Sequence, residues 1–242
     1  MSGWAPRVFW KEVAIRPEAG GHAVLLDGRP VNTPARARLV LPTSALAEAI
    51  AGEWRAQYDV LRPETMPHTR TANTALDRVA QRRGEVAAEL AAYGANDLLC
   101  YRAGAPQELA DRQARAWNPL LAWAEAAFAA PLVAVAGIMP ADQPEPSLAR
   151  LKDEVAAHDP FALAALHELV TLSGSLLLGL AVSRTALAPQ VAWALSRLDE
   201  EWQAELWGRD EEAESAAALR REAFLTAADF LNMCNVLGDD HP

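Results

Sequence analysis

Apolar residues recur every three or four positions along most of this chain, which is the pattern of helices that bury one face. The first sixty or so residues differ, because their apolar runs are short, rich in β-branched and aromatic residues, and separated by turns. Such runs are typical of strands. We therefore expect an α+β fold: a small N-terminal mixed α/β domain of antiparallel strands plus a helix (residues 1–62), followed by a larger all-helical domain (63–242).

Local signals place the elements of the N-terminal part. Strands are expected at residues 8–15, 22–26, 29–33 and 38–41. Asp27 and Gly28 form the two-residue loop that most strongly predicts a hairpin. Thr43 is the expected N-cap of a helix that runs to about residue 58, with Trp54 on its apolar face.

Proline positions divide the helical part. Asn118-Pro119 and Asp159-Pro160 each have the N-cap and first-turn order that opens a helix, so we expect helices to begin there. The second of these helices is apolar on nearly all sides and should be the buried centre of a bundle. The remaining expected features are a linker or ordered crossing at 59–70, a possible extended segment at 132–136, and helices at 76–94, 189–207 and 211–236.

The most informative stretch lies between residues 195 and 212. It contains an apolar stripe that we expect to face the core, formed by Leu195, Leu198, Trp202 and Leu206. Glu201 and Glu205 lie four residues apart on this helix with no lysine or arginine beside them, which costs roughly 0.2–0.5 kcal/mol. The acidic face is therefore either a solvated helix surface or a surface that binds a partner.

The same stretch contains a helix stop and a helix start. Gly208 stands where a C-cap glycine is expected, and Asp210 can cap a new helix whose first turn holds Glu211 and Glu212. Trp207 lies one residue beyond the apolar stripe and beside the break. It is therefore the best candidate for a partly exposed binding aromatic.

The charge balance narrows the class of partner. The 242 residues include 32 acidic and 22 basic residues, a formal charge of −10. This excess argues against a nucleic-acid surface or an anionic membrane surface and suits a partner with basic or hydrophobic patches. Cys100 and Cys234 are too far apart for a metal motif and lie in apolar surroundings, so we expect buried free thiols in a reducing compartment. No signal segment or membrane-length apolar run is found, and we expect a cytoplasmic protein.

Signatures of catalysis are missing from the sequence. There is no glycine-rich phosphate loop, and His167-Glu168 is not followed by a second histidine at the spacing of a zinc peptidase, because position 171 is Thr171. We therefore predict no catalytic residue, no metal ligand and no cofactor. Asp77 with Arg78, and Asp97 with Arg102, are expected to form structural ion pairs. The alternative that remains open is a carboxylate-dependent, hydrolase-like enzyme with a site in the cleft between the two domains.

Five segments together resemble one known family, and their order and spacing are specific. They are LDGRPVNTP (26–34), LAEAIAGEW (46–54), MPHTRTANTALD (66–77), DLLCYR (97–102) and WQAELWG (202–208). They are similar to the ATP12 family of F1-ATPase assembly chaperones, and the resemblance extends from about residue 7 to residue 231. That family has a small mixed α/β domain followed by a helical part, as expected above.

The resemblance implies a function in binding rather than catalysis. ATP12 proteins bind the unassembled α subunit of F1-ATPase and prevent its aggregation before the α/β hexamer forms. The resemblance implies no catalysis and no bound nucleotide, and we expect no cofactor, nucleic acid, membrane or small-molecule substrate. The family is best known from mitochondria, but this sequence shows no transit segment and has many more arginines than lysines, so we expect a bacterial, cytoplasmic protein. The acidic residue that matters in the family corresponds best to Asp199, and Trp54 is expected to have a structural role. The partner-binding residues expected here are Asp199, Glu200, Glu201, Trp202, Gln203, Glu205 and Trp207.

Overall fold

The structure, a computed structural model, describes residues 7–137 and 142–235. Within them the chain first forms four short strands and one helix, and the rest is mainly helical with two further short strands. The strands are β1 (Val13–Glu18), β2 (Gly21–Leu26), β3 (Arg29–Pro30), β4 (Val40–Leu41), β5 (Tyr101–Arg102) and β6 (Val135–Ala136). The helices are α1 (Ser44–Arg55), α2 (Pro67–Thr74), α3 (Arg83–Ala91), α4 (Gln107–Phe128), α5 (Glu145–Ala156), α6 (Pro160–Ser173), α7 (Leu176–Ser183), α8 (Pro189–Ser196), α9 (Leu198–Trp207) and α10 (Glu211–Asn235). The α+β fold expected from the sequence is confirmed, except that the later part of the chain is mostly rather than all helical, since β5 and β6 pair in parallel.

The described chain divides into two compact units. The first contains residues 7–82, 160–165 and 229–235, and the second contains 83–137, 142–159 and 166–228. The division into domains at residue 62 stays a prediction. Residue 236, where the last helix was expected to end, lies outside the described residues.

The sheet of the first unit is built around the predicted hairpin. β1 and β2 pair antiparallel, and β3 and β4 both pair with β2. Asp27 and Gly28 have φ angles of 47° and 77°, and positive φ at both positions is what a type I′ hairpin turn requires. The first strand begins at residue 13 rather than 8. The amides of Lys11 and Glu12 donate instead to the carboxylate of Asp27, each at 2.9 Å, so they are not available to a strand ladder.

The first helix caps itself as expected and also supports the next helix. The Thr43 hydroxyl accepts from the amide of Leu46, but α1 ends at Arg55, three residues earlier than expected. Both oxygens of the Glu53 carboxylate accept amide hydrogens, from His68 at 2.7 Å and from Thr69 at 2.8 Å. This carboxylate therefore satisfies free amides of the first turn of α2, which begins within the stretch expected to be a linker or an ordered crossing.

The end of α10 completes the first unit. The Thr43 hydroxyl donates to the carbonyl of Met233 at 2.7 Å, and His68 Nε2 lies 3.6 Å from the Asp229 carboxylate. The ring of Phe230 is fully buried and lies 6.0 Å from the His68 ring, centre to centre. Residues near both ends of the chain therefore share one core.

The apolar segment that begins at Pro160 forms two helices rather than one. Gly174, with φ of 70°, separates α6 from α7, and the Ser175 hydroxyl caps α7 by accepting from the amide of Leu178. All eight residues of α7 are buried, as expected for the centre of a bundle. Gly179 allows the two helices to approach, since a Cβ there would lie 2.7 Å from Cγ2 of Val170.

Asp97 links two parts of the second unit and does not pair with Arg102. Its fully buried carboxylate accepts from the Leu99 amide at 3.0 Å, the Ser175 hydroxyl at 2.7 Å and the Leu177 amide at 3.0 Å. Burial raises the pKa of Asp97 above its ordinary value, while these donors act in the opposite direction. The ion pair predicted from sequence spacing is therefore wrong, and the carboxylate instead holds the start of α7.

The expected ion pair between Asp77 and Arg78 is likewise not the one formed. The Asp77 carboxylate accepts from the Thr33 hydroxyl and from the amide of Ala35. It therefore ties the loop that follows β3 to the helical segment after α2. Arg78, the neighbour of Asp77 in sequence, is not its partner, because adjacent side chains on a helix point in different directions.

The predicted helix start at Asn118-Pro119 is also wrong. Pro119 lies inside α4, at an exposed position between the buried side chains of Trp117 and Leu120. A proline inside a helix costs about 3 kcal/mol, and the burial of large apolar residues on the opposite face offsets that cost. The packing of these apolar residues therefore keeps α4 continuous, despite the helix-start signal at Asn118-Pro119.

The two cysteines are free thiols, as expected, but only one is fully buried. Burial raises the pKa of Cys100 to about 12, so this thiol stays protonated. Cys234 is half-buried, which corrects the expectation for that residue. Among the helices of the described residues, none combines the length and the apolar character that crossing a membrane requires.

Candidate partner-binding site

Helix α9 carries all seven of the residues predicted to bind a partner, and its end follows the predicted stop signal. It ends at Trp207 with Gly208 as the C-cap, and Asp210 then caps α10 by accepting from the amide of Ala213 at 2.8 Å. Its beginning was not predicted. The helix expected from 189 to 207 breaks at Arg197, so α8 and α9 are separate.

The apolar stripe faces the core only at its beginning. Leu198 is buried and Trp202 is half-buried, but Leu206 is 57% exposed. The expectation that Leu206 faces the core is therefore wrong. Trp207 is 79% exposed, as expected for a binding aromatic. Together, Leu206 and Trp207 form what we call the apolar tip of α9.

The acidic residues of α9 are neutralised by arginines from outside the helix. Arg112 on α4 binds the Glu205 carboxylate through two hydrogen bonds of 2.6 and 2.9 Å. Arg209 bridges Glu201, at 2.7 Å, and Glu214 in the first turn of α10, at 2.9 Å. As the sequence indicated, α9 itself supplies no basic residue to Glu201 and Glu205, but arginines outside the helix pair with both carboxylates.

These ion pairs fix the position of α9 more than they add to stability. The hydrogen bonds from Arg112 hold the pKa of Glu205 below its ordinary value, so the carboxylate is ionised at neutral pH. The Arg112 guanidinium also lies 5.8 Å from the centre of the Trp202 ring, in cation–π range. Exposed pairs are worth little energy individually, but a two-bond arginine contact has a defined geometry.

The side chain of Asp199 contacts a buried residue and is also partly open to solvent. It is half-buried, and its Oδ1 accepts from Nε2 of Gln113 at 2.7 Å. Gln113 is almost fully buried and its Oε1 accepts from the amide of Ala103 at 2.7 Å. Arg102, which was expected to pair with Asp97, donates instead to the Gln113 carbonyl at 2.7 Å. Asp199 therefore anchors the start of α9 to a buried polar network.

The other two predicted residues are exposed on α9. Glu200 pairs with Arg197 at 2.6 Å, three residues earlier in the chain, and Gln203 is open to solvent. Sequence reasoning missed Arg112, Arg209 and the exposure of Leu206. Arg209 is close enough in sequence to Glu201 and Glu214 to have been found by spacing, whereas Arg112 gave no local signal.

The surface of α9 combines apolar and charged side chains. It offers an apolar tip beside a row of charged pairs, which is how the centre and rim of a protein interface are composed. Over residues 7–137 and 142–235, no group of three or more His, Cys, Asp or Glu side chains could hold a metal ion.

Comparison with known proteins points to one family. The family described as ATP12 chaperone protein matches residues 7–125. The mitochondrial protein atp12 of Schizosaccharomyces pombe is 26% identical in an alignment of 219 residues, gaps included, that covers 86% of this chain and 75% of that protein.

Solved structures extend the match to nearly the whole chain. The crystal structure of Atp12 from Paracoccus denitrificans is 52% identical, has a TM-score of 0.92, and the match covers 95% of this chain and 98% of that one. A mutant of the same protein gives a TM-score of 0.92 at 51% identity with the same coverage. The Atu1473 protein of Agrobacterium tumefaciens is 42% identical with a TM-score of 0.89, covering 96% of this chain and 87% of that one. The resemblance noted in the sequence is thus confirmed, and the chain belongs to the ATP12 family of chaperone proteins.

Proposed function

We propose that this protein is an F1-ATPase assembly chaperone that binds the unassembled α subunit and prevents its aggregation before the α/β hexamer forms. Membership of the ATP12 family supports a chaperone role. The single observation that carries the choice of surface is the apolar tip of α9, where Leu206 and Trp207 are exposed side by side. We propose a binding role without catalysis, in the bacterial cytoplasm.

The tip supplies the anchor in this mechanism. An unassembled subunit exposes apolar surface that its neighbours later cover, and such surface favours aggregation. A tryptophan buries a large area on binding and is among the residues that most often dominate interface energetics. Trp207, with Leu206 beside it, would cover part of that surface.

The ion pairs supply preorganisation. Arg112 and Arg209 each bind a carboxylate of α9, so the tip is presented without a large ordering cost on binding. The acidic residues Glu201 and Glu205 add rim charges that affect association rate and orientation more than affinity. Asp199 would act mainly by fixing the start of the helix.

Release follows from mass action. A chaperone that binds the free subunit lowers the concentration of the aggregating species by its occupancy. Because an obligate intersubunit interface buries more area than a transient one, the β subunit can displace a chaperone of moderate affinity. The chaperone therefore needs no energy source of its own for release.

The test is co-elution of the full chain with isolated, monomeric F1 α subunit, with isolated β subunit as the control. We expect a complex with α only, which dissociates when β is added. Trp207→Ser should weaken this complex at least tenfold while the melting temperature is unchanged. Val191→Ser, at a half-exposed aliphatic position on α8, is the matched control and should bind like the wild type.

Two results would contradict the proposal. If the wild type binds neither subunit at low or moderate salt, the client is not the α subunit. If it binds α but Trp207→Ser and Val191→Ser are equivalent, the client is right and the apolar tip of α9 is not its anchor.

A further inference from the structure

The first unit contains a second apolar feature, far along the sequence from α9. Trp10 and Trp54 pack edge to face with ring centres 5.2 Å apart, and Phe9 packs edge to face on Trp10, also at 5.2 Å. These rings line a cavity of about 390 Å³, together with aliphatic side chains that include Val31. We call this cavity the aromatic pocket. Its volume is within the range of pockets that hold ligands.

The wall of the aromatic pocket is held in place by backbone hydrogen bonds on both sides of Phe9. The Val8 amide donates to the Asp59 carbonyl at 2.9 Å, and the amides of Lys11 and Glu12 donate to the Asp27 carboxylate. Phe9 is nevertheless 73% exposed. A fixed backbone that presents an exposed aromatic ring is preorganised for contact with another molecule.

Two arginines give the aromatic pocket its charge. Arg7 and Arg29 both contribute to its wall, and both are exposed. Among the ion pairs of the described residues, none involves Arg7 or Arg29, although the charge of Arg29 helps to lower the pKa of nearby Asp27. In a chain with a formal charge of −10, this is a local positive rim around an apolar cavity.

We propose that the aromatic pocket is a second client-binding site, which takes a bulky apolar side chain from a segment of the F1 α subunit that carries a carboxylate beside it. The inference rests on the proposed function. Apolar walls select the side chain, and the arginines select the neighbouring carboxylate by charge complementarity. The exposed ring of Phe9 extends the apolar surface beyond the cavity, which suits a chain segment more than a small enclosed molecule.

Two sites would act together on one client. The apolar tip of α9 and the aromatic pocket belong to different compact units of the same chain. When one site is occupied, the second contact becomes intramolecular and raises the overall affinity without a stronger individual site. Moderate sites of this kind can be displaced one at a time, which fits a chaperone that must release its client.

The experiment compares two variants with two matched controls in the full chain. Phe9→Ala removes the exposed ring and Arg29→Glu reverses the rim charge. Tyr58→Ala removes a ring that is 90% exposed in the same unit outside the aromatic pocket, and Arg16→Glu reverses an exposed charge on β1. We expect the first two to weaken binding of isolated α subunit about tenfold each, and the controls to change it less than twofold.

A peptide scan separates this inference from the proposed function. Overlapping 15-residue peptides that cover the α subunit are titrated into the labelled full chain, and the indole N–H signals of Trp10 and Trp54 are followed by NMR. We expect at least one peptide with an apolar residue beside Asp or Glu to shift both signals, and replacement of its acidic residues by lysine to abolish the shift.

Each outcome decides one of the two proposals. If α subunit binds and the Phe9 and Arg29 variants match their controls, the aromatic pocket is not a client site and the chaperone proposal stands. If α subunit does not bind, the chaperone proposal fails. In that case the peptide scan alone tests the pocket: a peptide that binds the wild type and not Phe9→Ala supports it, and no such peptide overturns it.

Discussion

The buried carboxylate of Asp97 should contribute several kilocalories per mole to the free energy of unfolding of the second unit. Asp97→Ala would leave the amides of Leu99 and Leu177 buried without an acceptor, as well as the Ser175 hydroxyl. A buried unsatisfied donor costs about 1–3 kcal/mol, and the hydroxyl can turn to another acceptor. After allowing for the desolvation cost that disappears with the carboxylate, we expect a loss of about 2–4 kcal/mol of unfolding free energy.

Urea and thermal unfolding, followed by far-ultraviolet circular dichroism, measure this loss. For a chain of this length, about 2–4 °C in melting temperature corresponds to each kilocalorie, so Asp97→Ala should melt about 4–16 °C lower. Glu89→Ala, at an exposed carboxylate on α3, is the control and should stay within about 0.5 kcal/mol of the wild type. Equal stabilities for the two variants would refute the reasoning.

The raised pKa of Asp97 adds a pH dependence whose sign can be stated. Because burial raises its pKa in the folded protein, the folded state keeps the proton to higher pH than the unfolded chain does. The stability of the wild type relative to Asp97→Asn, which cannot ionise, should therefore fall as pH rises from about 4, the unfolded value, through the folded pKa. A difference that stays constant from pH 4 to pH 8 would contradict the assigned direction.

Three other variants test separate parts of the structure. Gly179→Ala places a Cβ 2.7 Å from Val170. The cost of overpacking, about 1–3 kcal/mol, should exceed the gain of about 1 kcal/mol in helix propensity. The variant should therefore be less stable and unfold at a lower urea midpoint. Asp199→Lys should weaken α-subunit binding in a titration and lower the melting temperature slightly, because the hydrogen bond to Gln113 is lost. Asp199→Asn keeps an acceptor and should restore the melting temperature. Unchanged affinity of Asp199→Lys for the α subunit would exclude a role of Asp199 in binding. Trp54→Arg puts a charge where an indole packs on another indole, and should cost at least about 3 kcal/mol; a wild-type melting curve would show that the ring is not structural.

Features set by three or four neighbouring residues were predictable from the sequence. The hairpin turn needs positive φ at two successive positions, and Asp27-Gly28 supplies residues that tolerate it. The stop at Gly208 and the cap at Asp210 likewise depend only on which residues can end or begin a helix. The exposure of Trp207 followed from its place beyond the stripe and next to that stop.

The pairings of the α9 carboxylates with arginines could not all be predicted, because one of the arginines is distant in the chain. Glu205 is bound by Arg112, 93 residues earlier, and no periodic pattern connects two helices that meet only after folding. Leu206 shows a second limit. Its spacing matched the core-facing stripe, but its side chain is 57% exposed, whereas Leu198 at the start of α9 is buried. Spacing indicates which residues share a face, and only tertiary packing decides how much of that face is covered.

The contacts of α10 with the first unit have a consequence for how the protein is made. Thr43 and His68 obtain Met233, Phe230 and Asp229 as partners only after the chain has been synthesised as far as residue 233. Until then, the N-terminal segment lacks part of its core and exposes the surface that Phe230 will cover. A chaperone built in this way passes through a nascent state that exposes apolar surface, as an unassembled subunit does. A chain that stops before residue 229 would lack part of the core of the first unit.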